Sequence, residues 1–97
     1  SGAEDVFIPE RIEDLNIFED KIKAALDGKQ AITASSNSKT KKKEQVTVEG
    51  QLIYYSHAYN LLDLKGGIVH LQNPHGRNHV KLSISEFKKY YRIIAIQ

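Results

Sequence analysis

The chain has 97 residues, no cysteine, and 14 Lys plus Arg against 12 Asp plus Glu, a formal net charge of +2. A chain of this length forms one modest core, burying roughly 60–65% of the surface it exposes when unfolded. The absence of cysteine excludes disulfides, thiolate metal sites and a cysteine nucleophile within the chain; no apolar run approaches the ~18–20 residues that span a bilayer.

The opening Ser1-Gly2-Ala3-Glu4-Asp5 lacks the basic region and apolar core of a signal peptide. Ser1-Gly2, without an initiator methionine, reads as an expression scar on a chain cut from something longer. The compartment stays open between cytoplasm and secreted effector. Val6-Phe7-Ile8-Pro9 is a short apolar lead-in, and residues 1–15 lead into a single domain that occupies the rest of 1–97. Asn16 to Leu26 is predicted as a helix. Asn16 can cap it, Glu19 has the capping-box offset, and Ile17, Phe18, Ile22, Ala25 and Leu26 form an apolar stripe. Asp27-Gly28 ends the helix, with glycine at C′. Gln30 to Ser35 follows as a short strand. The polar run after it predicts an exposed, mobile loop over 36–44, with Lys41 to Lys43 as a solvated charge run. The basicity is local, so no nucleic-acid or membrane partner is expected.

From Gln45 the pattern is β. Val46 and Val48 alternate with polar residues, and Gly50 breaks the run. His57 to Leu64 is mostly apolar, as in a strand covered on both faces. Lys65-Gly66-Gly67 signals a hairpin turn, and Ile68, Val69 and Leu71 belong to the returning strand. That strand ends at Asn73-Pro74-His75-Gly76, a turn by composition. Val80, Leu82 and Ile84 alternate as a third strand. Ser83 and Glu86 have capping-box spacing for a short helix over Ser85 to Tyr90, and Arg92 to Ile96 is the last strand. The predicted class is α+β: an N-terminal helix, a small antiparallel sheet curled into a barrel, and a short C-terminal helix.

Two motifs carry chemistry. Ser56-His57-Ala58-Tyr59 stands before the hairpin, and Leu71-Gln72-Asn73-Pro74-His75-Gly76 after it. The pair resembles calpain-like and papain-superfamily cysteine proteases. Calpains carry His-Ala-Tyr at the start of one strand and Arg-Asn-Pro-Trp-Gly after the next; the papain branch has Asn-Ser-Trp-Gly at the second site. The resemblance extends to the helix Ile17 to Leu26 with Gly28-Lys29-Gln30-Ala31-Ile32, and to Leu82 through Tyr90, covering most of residues 16 to 94. It implies that 16–97 is the barrel lobe bearing the histidine and asparagine. His57 is then the general base and acid, and Asn73 its orienter. Gln72, His75, Ser56 and Tyr59 are supporting neighbours. In such enzymes the imidazole holds the thiolate as an ion pair and later protonates the leaving amine. An asparagine amide oxygen can accept its second N–H, and residues on two paired strands can meet on one face of the sheet.

Two departures matter. His75 replaces the family's tryptophan, and the cysteine and oxyanion-hole glutamine belong to a lobe absent from this chain. The resemblance therefore implies a chain inactive alone, with a Cys-bearing lobe of the same parent and a peptide or protein substrate as partners, and no cofactor. The alternative is a non-catalytic protein-binding module on the same fold. Read without the motif, His57 is a structural strand histidine and Asn73 a turn residue. His57, His70, His75 and His79 make no tight metal-binding pair, so no metal site is expected. The tyrosines at 54, 55, 59, 90 and 91 read as packing residues, and the acidic cluster Glu10, Glu13, Asp14, Glu19 and Asp20 as a solvated helix face. The face at His57 is expected to be open and partly apolar, near Tyr55, Ala58, Tyr59 and Val6-Phe7-Ile8. Self-association, folded-over segments or a partner would cover it.

Overall fold

Leu15, Phe18, Ile22 and Ala25 recur at helical spacing, and they are the residues that helix α1 (Leu15–Asp27) buries. The computed structural model describes residues 3–97; Ser1 and Gly2, read as a scar, lie outside the described residues. A 3₁₀ turn at Ile12–Asp14 leads into α1, so the helix starts before Asn16, which sits inside it rather than capping it. Asp14 occupies the cap position without a side-chain hydrogen bond. Ile17 leaves the predicted stripe and is 73% exposed, because two residues past Leu15 is the wrong side of a helix. The C-terminus is also shifted by one residue. Gly28 has an ordinary φ of −79°, and Lys29 takes the left-handed conformation at φ 59°. Lys29 N–H bonds Leu26 O (3.1 Å) and Gln30 N–H bonds Ala25 O (2.9 Å), the Schellman pattern with lysine at C′.

The strands are β1 (Glu4–Phe7), β2 (Ile32–Ser36), β3 (Gln45–Val48), β4 (Gln51–Tyr54), β5 (Ala58–Lys65), β6 (Ile68–Gln72), β7 (Val80–Ser83) and β8 (Tyr91–Ile96). Six form one antiparallel sheet in the order β1-β8-β2-β5-β6-β7, while β3 and β4 make a separate hairpin. The class is α+β, as read from sequence, but no closed barrel forms. Closure requires a continuous ladder. Here β1 and β7 are the sheet's two ends, and the hairpin reaches β7 through one side chain: Gln51 Oε1 accepts from Lys81 N–H (2.7 Å) and its Nε2 donates to Lys81 O (2.9 Å). The apolar lead-in is strand β1, paired to β8, at the far side of the sheet from β5 and β6.

Strand β5 departs from prediction as well. Only alternate positions are buried, and a bulge between Leu61 and Asp63 leaves Leu62 exposed. The hairpin turns follow their glycines: Glu49-Gly50 and Gly66-Gly67 all have positive φ, the two-residue form that matches strand twist. Ile84, predicted in a strand, opens helix α2 (Ile84–Tyr90), where Ser83 Oγ accepts from Glu86 N–H at 3.2 Å. One core joins both helices to the sheet. Within it, rings follow one another from Phe18 to Phe87 (6.5 Å between centroids), Tyr91 (4.9 Å), Tyr59 (5.5 Å) and His57 (5.0 Å).

Candidate functional site

Strand β5 begins just after His57 and β6 ends just before Asn73, and Asn60 pairs with Gln72 across them. The hairpin therefore brings the two motifs to the same end of the sheet. His57 Nε2 lies 3.0 Å from Asn73 Oδ1. Asn73 is only 2% exposed, so its amide must be satisfied internally. Oδ1 also accepts from the backbone N–H of His75 at 3.1 Å. That contact fixes the amide: a backbone N–H only donates, so the atom it meets is the oxygen. It follows that Nε2 of His57 carries a proton and donates. Neutral His57 then presents a bare Nδ1, which has no protein partner among the described residues.

The turn holding Asn73 is tied twice more. Gly76 N–H bonds Asn73 O (3.0 Å), and Asn73 N–H donates to His79 Nδ1 (3.1 Å). The His57 ring is packed by Tyr54 (5.8 Å, 61° between planes), Tyr59 (5.0 Å, 79°) and His75 (5.3 Å, 31°). Tyr54 and Tyr59 meet it edge-on, the favoured geometry for aromatic pairs.

Of the supporting residues named from sequence, His75 and Tyr59 lie at the ring, but Tyr59 is fully buried beneath it rather than on the open face. Its hydroxyl accepts from Tyr54 N–H at 3.0 Å. Burial raises the Tyr59 phenol above its ordinary pKa, more than that hydrogen bond lowers it. Gln72 is not in the site. Alternation along β6 turns it to the face opposite Asn73, where its Oε1 accepts from Asn60 Nδ2 at 3.1 Å. Ser56 makes no hydrogen bond to the ring; its Oγ accepts from Lys39 N–H at 2.8 Å. Sequence reasoning missed Ser36, predicted in a mobile loop. It ends β2, is 1% exposed, and its hydroxyl accepts from His57 N–H (3.0 Å) and donates to Tyr54 O (2.6 Å), with His57 O at 3.1 Å. Its one sequence signal is the even spacing Ile32, Ala34, Ser36 on the inward face.

The pair faces an open depression of about 480 Å³. Tyr54, Tyr55, Lys39, Glu44, Arg77 and Asn78 supply much of its wall. The large exposed apolar residues lie elsewhere, at Phe7, Ile12, Ile17 and Leu62, and the lead-in does not reach the site. The face around His57 is thus open and partly apolar, as expected, with Tyr54 and Tyr55 supplying apolar area among polar groups; the correction is that the lead-in lies elsewhere and Tyr59 is buried. Among the described residues, no group of three or more His, Asp or Glu side chains is arranged to hold a metal ion, and no helix is long and apolar enough to cross a membrane. No protein family, curated protein or solved structure matches the chain.

Proposed function

We propose that this chain is the His/Asn lobe of a calpain- or papain-like cysteine protease, acting in thiol-dependent hydrolysis of a peptide or related acyl bond when a cysteine-bearing lobe is set against it. The observation that carries the reading is the division of labour on His57: Nε2–H is committed to the buried Asn73 oxygen, and Nδ1 is left bare beside an open depression. An imidazole so held can take a proton from a thiol at Nδ1, remain oriented as the imidazolium, and return the proton to a leaving amine. Asn73 is neutral, so it orients the ring without adding a charge. His75 stands where the resemblance expects a tryptophan and covers less of the hydrogen bond. That substitution is what favours the second reading, a protein-binding module that keeps the fold without the chemistry.

The test is peptide hydrolysis by the parent protein, cysteine-bearing lobe included, against its His57→Ala variant. The expected loss is roughly 10²–10⁴-fold, the usual contribution of a positioned acid–base group. The chain alone is expected to show no turnover, having no cysteine. Equal rates for wild type and variant, or thiol-independent turnover by this chain, would refute the proposal.

A further inference from the structure

The segment after β2 is a built structure, and it is built onto the residues that lead into His57. Ser56 N–H bonds Asn37 O (2.7 Å), Lys39 N–H bonds Ser56 Oγ (2.8 Å), and Tyr55 N–H bonds Glu44 O (2.9 Å). Asn37 is tied on its other side, its N–H to Tyr90 O (2.9 Å) and its Nδ2 to Lys89 O (2.8 Å). The tip closes on itself: Thr40 N–H bonds Lys43 O (2.8 Å), and Thr40 Oγ1 accepts from the N–H groups of Lys42 and Lys43 (3.3 and 3.0 Å). Lys39, Lys41, Lys42 and Lys43 are thus carried on a fixed turn beside the site, with Arg77 on the depression's wall. None of these five cations takes part in an ion pair among the described residues, as is also true of Lys29, Lys65, Lys81, Lys88 and Arg92; what sets the five apart is their grouping around one depression. Glu44 is the one carboxylate lining the depression.

A lone run of lysines is ordinarily a solvated face. Here the turn is closed by hydrogen bonds, the residues on either side of it, Lys39 and Glu44, line the concave site, and the lysines make no ion pair among the described residues. We infer that the ligand of this site is an acidic polypeptide segment, whose carboxylates meet Lys39, the Lys41–Lys43 tip and Arg77 while its backbone crosses the depression beside His57. This rests on the protease reading and names its substrate class. Tyr54 and Tyr55 supply flat walls for the chain between its acidic side chains. Charge complementarity of this kind acts on encounter and selectivity, and it weakens with salt.

The experiment uses this chain and a fluorescein-labelled decapeptide alternating Glu with Gly and Leu. Controls are the same peptide with Gln for Glu and a single-stranded oligonucleotide of equal charge. Fluorescence anisotropy is expected to give saturable one-to-one binding of the acidic peptide, with affinity roughly tenfold above the glutamine peptide. A variant carrying Lys39→Gln, Lys41→Gln, Lys42→Gln, Lys43→Gln and Arg77→Gln, with its melting point checked, should lose that margin. Equal binding of the two peptides, no saturable binding, or an oligonucleotide bound as tightly as the acidic peptide would overturn the inference. The parent protein separates the two claims. Hydrolysis that needs His57 but ignores peptide charge sinks the inference alone. Charge-selective binding with hydrolysis indifferent to His57→Ala sinks the protease reading and with it the substrate assignment.

Discussion

Ser36→Ala removes one oxygen from a residue that is 1% exposed, and its cost can be worked from the hydrogen bonds. The hydroxyl is the acceptor for His57 N–H at 3.0 Å and the donor to Tyr54 O at 2.6 Å. His57 O keeps the Ser36 backbone N–H at 2.9 Å, so the main loss is a buried backbone donor without a partner. Stranding such a group costs about 1–3 kcal/mol, and the void left by one oxygen is small. The expected loss is therefore about 2 kcal/mol. In a domain of this size that lowers Tm by roughly 8–16 °C. Urea unfolding should move its midpoint at constant slope. Hydrogen exchange gives the local readout, since the His57 amide should lose its protection in the variant. A stability change under about 0.5 kcal/mol, with His57 still protected, would refute the claim that Ser36 holds the turn at His57.

The two buried tyrosines should respond oppositely to loss of their hydroxyls. Tyr91 Oη is buried next to Tyr59 with no partner at hydrogen-bond geometry, so Tyr91→Phe should be neutral or stabilising by up to about 1 kcal/mol; Tyr59→Phe strands Tyr54 N–H and should cost about 1–3 kcal/mol. Denaturation of the two variants side by side decides the point. Burial also raises the pKa of both phenols above the ordinary value of 10.0, Tyr91 the more strongly. Below about pH 10 both states are neutral and stability is complete. Above it the unfolded chain releases protons that the folded chain retains, and stability should fall by about 1.4 kcal/mol per pH unit per tyrosine. Urea titrations from pH 9 to 11 should therefore show a decline that steepens with pH, and a flat profile would contradict the burial. Lys29→Gly relieves a left-handed lysine at φ 59° and should stabilise by up to about 1 kcal/mol in thermal melts, the gain being set against glycine's larger unfolded-state entropy.

That His57 and Asn73 reach the same end of the sheet could be anticipated because the glycines at 66 and 67 leave one short turn between the strands, but their exact register could not, since the bulge between Leu61 and Asp63 shifts the pairing by one residue. The cap of α2 was equally plain, since Ser83 and Glu86 stand at the spacing where the hydroxyl reaches the N–H. Other features depend on partners distant in the chain. Ser36 sits at the edge of a polar run and looks like a loop residue until β5 and β4 arrive against it. Gln72 neighbours Asn73 in sequence, yet strict alternation sends the two to opposite faces. Ile17 matched an apolar stripe drawn too wide. Strand β4, the short run Gln51–Tyr54, was hidden because only one of its four residues is buried.

The clasp between Gln51 and Lys81 has a consequence for dynamics. Ladder hydrogen bonds join β5 to β6 along their length, but β3 and β4 meet β7 through a single side-chain amide. Among the described residues the hairpin shares no ladder with the sheet, but its far end is held: Val48 and Ile53 are buried in the common core, and Tyr54 bonds the hydroxyls of Tyr59 and Ser36. Tyr54 and Gln45 ride on it, and both line the depression. When the amide lets go, the Gln51 end of the hairpin loses its tie to β7 while Tyr54, on the wall of the site, stays bonded to Ser36 and Tyr59. Amide exchange in the hairpin is therefore expected to be faster near the Glu49-Gly50 turn than at Tyr54, beside the site.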